Sequence, residues 1–134
     1  MDVHPIDPHS KTSPSQQLMD QVLDALSRGE ASAGDRLPSV RSFAASALVN
    51  PNTVAKAYRE LETLGVTCGR NGSGVYVLAS GVETARRVRR AQTLLAFRET
   101  VLQALSVGHE GPSLERLLKQ LSANSHRKDT KVKS

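Results

Sequence analysis

Apolar residues recur at helical spacing from about Ser15 onward. Leu18, Met19, Val22, Ala25 and Leu26 fall on one arc at about 100° per residue, while Asp20, Asp24 and Ser27 face away. The pattern predicts a first helix capped by Ser15 and ended by Gly29. Ala33 to Pro38 then breaks the period and reads as a loop or short strand anchored by Leu37. Ser39 suits an N-cap, because its hydroxyl can accept from a backbone N–H two or three residues on. Behind it Val40, Phe43, Ala44 and Ala47 form the stripe of a second helix. Leu48-Val49 makes the turn, and Asn50-Pro51 restarts the helix, since proline at a first helical position forgoes a donor with no partner there.

The third helix divides into two faces. Val54, Tyr58, Leu61 and Leu64 point inward, with Asn52, Lys56, Arg59 and Thr63 nearly opposite, and Gly65 ends it. Val66 to Arg70 and Val75 to Leu78 are short strands around Asn71-Gly72-Ser73-Gly74, a turn rich in residues that accept positive φ. A longer helix from about Val82 to Val107 carries Leu94, Leu95, Phe97, Val101, Leu102 and Leu105 on an arc of about half its circumference, wider than the stripe of a helix packed on one side. After a break at Gly108–Pro112, Ser113 caps a last helix with Leu114, Leu117, Leu118 and Leu121 on one face. The expected architecture is mainly α with a small β-hairpin. Residues 14–80 form a winged helix-turn-helix and 81–122 a two-helix dimerisation segment, between a flexible leader at 1–13 and a disordered basic tail at 123–134.

Composition narrows the function classes. The 134 residues hold one ordinary domain, or a small one with an appendage, and at 3% aromatics the core is built from Leu, Val and Ala. No apolar run approaches the roughly 18 residues of a membrane span. The single cysteine, Cys68, cannot form an internal disulfide, which suits a reducing cytoplasm; it is expected to be a small buried thiol. The net charge of +5 is unevenly spread: residues 1–80 carry seven Lys/Arg against eight Asp/Glu, and residues 81–134 carry eleven against five. Global charge therefore supports nucleic-acid binding only weakly, and the direction of individual side chains decides.

The polar face of the third helix has the chemistry of groove reading. Asn pairs in bidentate fashion with adenine, Lys donates to guanine, and a Thr methyl touches thymine. Asn52, Lys56 and Arg59 lie on that face, with Arg41 in the first turn of the preceding helix placed to hold register on the backbone. Arg70, Asn71 and Gly72 form the hairpin tip, where Gly72 lets the backbone approach closely. One polar helix face alone is more often solvated surface. Its ordered combination with an Asn-Pro cap, a preceding helix and a glycine hairpin favours DNA.

Gly34-Asp35-Arg36-Leu37-Pro38-Ser39-Val40-Arg41, Val49-Asn50-Pro51-Asn52-Thr53-Val54, Ala57-Tyr58-Arg59-Glu60-Leu61-Glu62 and Gly72-Ser73-Gly74-Val75-Tyr76-Val77 together resemble the GntR family of bacterial transcription regulators, its YtrA subfamily in particular. The resemblance implies a homodimer that binds a palindromic operator in double-stranded DNA, usually as a repressor. It places DNA contacts at Arg41, at Asn50, Asn52, Thr53 and Lys56, and at the wing-tip pair Asn71 and Gly72. Pro51 and Ala55 stand where relatives of other subfamilies often carry arginines, and Leu48 where a glycine is common.

The wide arc of the 82–107 helix is expected to meet both its own domain and a partner chain through Leu94, Leu95, Arg98, Val101, Leu102 and Leu105, with Arg98 pairing an acid across the interface. Arg86, Arg87, Arg89 and Arg90 read as a solvated collar, with phosphate contact as the rival. No metal-ligand spacing, paired carboxylates or nucleotide-binding loop is present, so neither an enzyme nor a cofactor is expected. A small-molecule effector, if one exists, has little volume to occupy. The competing class is a winged-helix protein-interaction module without DNA binding, which predicts acidic or apolar residues where Asn52, Lys56 and Arg59 stand.

Overall fold

A computed structural model describes residues 1–133, with side chains described through residue 125. The elements run α1 (Pro14–Ser27), α2 (Val40–Ala47), α3 (Pro51–Thr63), β1 (Thr67–Arg70), β2 (Gly74–Val77), α4 (Gly81–Ser106) and α5 (Gly111–Lys133). They divide into two compact units, Met1–Gln92 and Thr93–Ser134.

Local chemistry explains most boundaries. Ser13, rather than the expected Ser15, caps α1: its Oγ accepts from Gln16 N at 3.2 Å, and Pro14 takes the first helical position. Ser39 Oγ accepts from Ser42 N at 3.1 Å to start α2, and Asn50 Oδ1 accepts from Asn52 N at 2.8 Å to start α3. Between the two, Leu48 takes a left-handed conformation (φ 58°, ψ 47°) that lets its own N–H and that of Val49 reach Ala44 O. A leucine thus does what glycine does at many helix ends, at a strain cost of roughly 1–2 kcal/mol.

In the first unit α1, α2, α3 and the hairpin enclose one core. Leu18, Val22, Leu23, Leu26, Phe43, Val54, Leu61 and Val66 are fully buried. Phe43 meets Tyr58 edge to face at 5.8 Å between ring centres, and Tyr58 donates its hydroxyl to Pro38 O at 2.6 Å. Burial pushes the Tyr58 phenol well above its ordinary pKa. Leu64, expected inside, is 39% exposed, because the helix ends there and its last turn leaves the core.

β1 and β2 pair antiparallel in the register Thr67↔Val77, Cys68↔Tyr76, Gly69↔Val75 and Arg70↔Gly74. The 33–38 segment adds a third edge to β2 through Gly34 N to Val77 O (2.8 Å), Val77 N to Asp35 O (2.9 Å) and Leu37 N to Val75 O (2.9 Å). Helix, turn, helix and a hairpin with a bridging edge make a winged helix-turn-helix. Cys68 is half-buried rather than enclosed, since its side of the hairpin turns away from the core.

Residues 1–13 also depart from expectation. They are laid along the domain, with Met1, Val3 and Ile6 packed against its core and Ile6 N donating to Ala47 O at 3.2 Å. At the other end of the unit α4 begins at a buried glycine: a Cβ on Gly81 would stand 2.3 Å from Val66 O. Arg89 reaches α1, with Nε 2.6 Å from Asp24 and Nη1 3.6 Å from Asp20. The hydrogen bond to Asp24 pushes the Arg89 pKa further up; burial works against this, and the charges of Asp20 and Asp24 add to it. Arg86 Nε donates to Ser27 O at 3.3 Å. Part of the expected solvated collar is therefore a strut between helices.

In the second unit the end of α4 turns at Gly108 (φ 102°) into α5. The helix starts at Gly111, ahead of the expected Ser113 cap, because Ser113 N and Leu114 N both bond to Glu110 O. Leu94, Leu95, Phe97, Leu102, Leu105, Leu117, Leu118 and Leu121 are each 44–68% exposed. A groove of about 300 Å³ runs between Phe97, Val101, Leu114 and Leu118. The stretch expected as a disordered tail, 123–134, instead continues α5 through Lys133, and residue 134 lies outside the described residues.

Candidate nucleic-acid interface

α3 is fixed to the core by Val54, Ala57, Tyr58 and Leu61, all on one side. The 3.6-residue period therefore forces Asn52, Lys56 and Arg59 outward, and all three are exposed. Asn50 is exposed too, with its side-chain Oδ1 accepting from Asn52 N to cap the helix. Thr53 is only half-buried, and its N–H bonds to Asn50 O at 2.9 Å. Arg41, one residue into α2, is exposed. Among the described residues Arg41, Lys56 and Arg59 form no ion pair, so their charge is uncompensated by a neighbour.

The wing tip is a tight turn closed by Ser73 N to Arg70 O at 3.0 Å. Gly72 sits in it at φ 72°, a conformation that a side chain would strain. Arg70 is held rather than loose: its guanidinium lies 4.4 Å from the centre of the Tyr76 ring, whose hydroxyl pairs with Ser73 Oγ at 2.7 Å.

Arg36 was not among the residues expected to meet DNA. As the bridge partner of Tyr76 it shares a sheet face with Tyr76, Gly74 and Arg70. Its guanidinium lies across Gly74, where a Cβ would come within 2.7 Å of Nε. The wing thus carries two guanidinium groups on one face. The signal available in the sequence was the alternation of Asp35-Arg36-Leu37 about a buried Leu37, which turns Arg36 outward.

The arrangement presents amides and cations on a projecting helix, with a cationic hairpin in the same unit. Such a surface suits the donor pattern of a major groove flanked by phosphates. It holds no nucleophile–base pair, and among the described residues no group of His, Cys, Asp and Glu could hold a metal ion.

Residues 14–77 match the family described as "Bacterial regulatory proteins, gntR family". The chain is 33% identical over 119 residues to the HTH-type transcriptional repressor YtrA of Bacillus subtilis, a match that covers 89% of this chain and 92% of that protein. A GntR family transcriptional regulator from Listeria monocytogenes shares its fold, with a TM-score of 0.72 at 22% identity over 86% of this chain and 98% of that one. YtrA from Sulfolobus acidocaldarius, a GntR-family transcription factor, superposes with a TM-score of 0.51 at 29% identity over 89% of this chain and 96% of that one.

Proposed function

The chain belongs to the GntR family of bacterial regulatory proteins and is a transcription regulator rather than an enzyme; from that premise we propose that it represses transcription as a homodimer seated on a palindromic DNA operator. The observation that carries the reading is the exposed Asn52-Lys56-Arg59 face of α3, positioned by a buried opposite face and free of ion pairs among the described residues. Asn52 and Lys56 read base edges, with Asn50 and Thr53 at the helix start. Arg41, Arg59 and Arg70 contact phosphate, and Asn71 and Gly72 enter beside the wing. Arg36 joins Arg70 as a second cation on the wing. The amides and lysine on this face argue against a protein-interaction module, for which acidic or apolar residues are expected.

The homodimer reading is supported by the second unit. Eight large apolar side chains at 44–68% exposure exceed what an isolated helix pair leaves in water. Leu94, Leu95, Val101, Leu102 and Leu105 would meet their counterparts about a two-fold axis, with Arg98 at its edge. An effector of modest size would bind in the groove beside Val101 and Leu114. A cytoplasmic location follows from the DNA binding proposed.

Selection of duplexes from a random pool by the purified protein tests the reading. Lys56→Ala is expected to lower affinity for the enriched duplex about tenfold or more, and affinity for random duplex far less. Equal losses on both would reduce Lys56 to a phosphate contact, and enrichment of no sequence would overturn the proposal.

A further inference from the structure

Residues 1–13 meet the domain through their backbone. Gln17 and Gln21, one turn apart on the half-buried side of α1, each grip this segment with a side-chain amide. Gln21 accepts from His4 N and donates to His4 O, both at 2.9 Å. Gln17 accepts from Asp7 N and donates to Asp7 O and Thr12 O, all at 2.9 Å. Val3 and Ile6, on either side of the His4 pair, pack against the core. Two glutamines at i and i+4 thus bind both backbone groups of His4 and of Asp7.

The segment also touches the helix-turn-helix at one decisive place. Ala47 is the last residue of α2 and fully buried, so its carbonyl has no helical partner and no water. In a continuing helix the donor to Ala47 O would be the N–H of residue 51, and Pro51 has none. Ile6 N supplies the missing donor at 3.2 Å. The next residue is Leu48, in the strained left-handed conformation that sets the angle between α2 and α3.

We propose that residues 3–7 are a strap, clamped by Gln17 and Gln21, whose Ile6 N–H locks the α2–α3 turn and so aims the recognition helix. Ile6, Gln17 and Gln21 are positioning residues: they act through the turn and never touch DNA. The strap holds Leu48 where relaxation would otherwise swing α3. Only the consequence for operator affinity rests on the DNA-binding reading; the locking of the turn stands apart from it.

Three full-length variants decide the matter. Ile6→Pro deletes the donor to Ala47, Ile6→Val keeps it with one methylene fewer, and Gln17→Met with Gln21→Met keeps side-chain length without the amides. Amide hydrogen exchange is followed at Leu48 and Val49 and, for reference, at Val54 and Leu61 in the core of α3. Affinity is measured for the duplex enriched by the unaltered protein and for random duplex. Ile6→Pro and the double methionine variant are expected to speed exchange at the turn about tenfold relative to the α3 core and to cut the ratio of enriched to random affinity about fivefold; Ile6→Val should do neither. The double variant carries the test if Ile6→Pro does not fold. Exchange that rises equally at turn and core, or a lower melting temperature at an unchanged affinity ratio, would make the strap a mere stabiliser and overturn the proposal. Failure to enrich any duplex would overturn DNA binding instead, with the exchange rates still deciding the strap.

Discussion

At the scale of single residues, Thr67 and Leu48 carry unrelieved cost inside a well-formed domain. Thr67 is 1% exposed at the start of β1, and among the described residues its Oγ1 is the one buried side-chain polar atom without a hydrogen-bond partner. Valine has the same branched shape and no hydroxyl to desolvate. Thr67→Val is therefore expected to raise stability by about 1 kcal/mol, read as a higher denaturant midpoint at unchanged slope; a fall would mean that the hydroxyl finds a partner. Leu48 was recognisable in the sequence as a departure, a leucine where a glycine is common. Its φ of 58° shows how the turn survives the change: the backbone takes the left-handed conformation anyway, and the side chain stands 76% exposed where nothing obstructs it. A clash-free exit from the turn is a property of the surroundings, which no local rule supplies.

At the scale of elements, helices and hairpin were legible wherever a period and a cap coincided. Ser39 and Asn50 start α2 and α3 as read from the sequence, because a short polar side chain satisfies orphan N–H groups by local geometry alone. Where two such residues stand close together the local rule is degenerate. Ser13 therefore displaces Ser15 and α5 begins at Gly111 ahead of Ser113, decided by Pro14 and by the Glu110 carbonyl. The start of α4 was read to within one residue, but the reason for its glycine was not legible. Gly81 has no positive φ; it is small because the Val66 carbonyl, itself paired with Leu78 N at 3.0 Å, occupies the space of a Cβ. Gly81→Ala should cost about 1–3 kcal/mol by forcing α4 off the hairpin, measurable by thermal unfolding. A neutral result would show that α4 shifts freely on the first unit.

At the scale of the whole molecule, the two units answer to different constraints. The first buries its own apolar face and leaves a polar surface on α3. The second leaves its leucines in water, which a second copy would cover. Leu94→Glu combined with Leu102→Glu is expected to convert the protein to monomer in sedimentation at micromolar concentration and to weaken binding to a two-fold site about a hundredfold or more, since the second half-site would no longer gain from effective concentration. Binding to a single half-site should be unchanged. A dimer that survives both glutamates would place the interface elsewhere.

The chain's linear pattern by itself determined the winged helix-turn-helix, the outward face of Asn52, Lys56 and Arg59, and the apolar excess of α4. Each follows from a period of hydrophobic positions that local backbone geometry converts directly into faces. Tertiary structure alone decided that residues 1–13 lie along the domain, that Arg89 spans to Asp20 and Asp24, and that Arg36 joins the wing. These depend on groups far apart in the chain meeting across a core, and on backbone hydrogen bonds whose partners carry no periodic signature. Apolar spacing says which side of an element faces inward, but not what waits for it there.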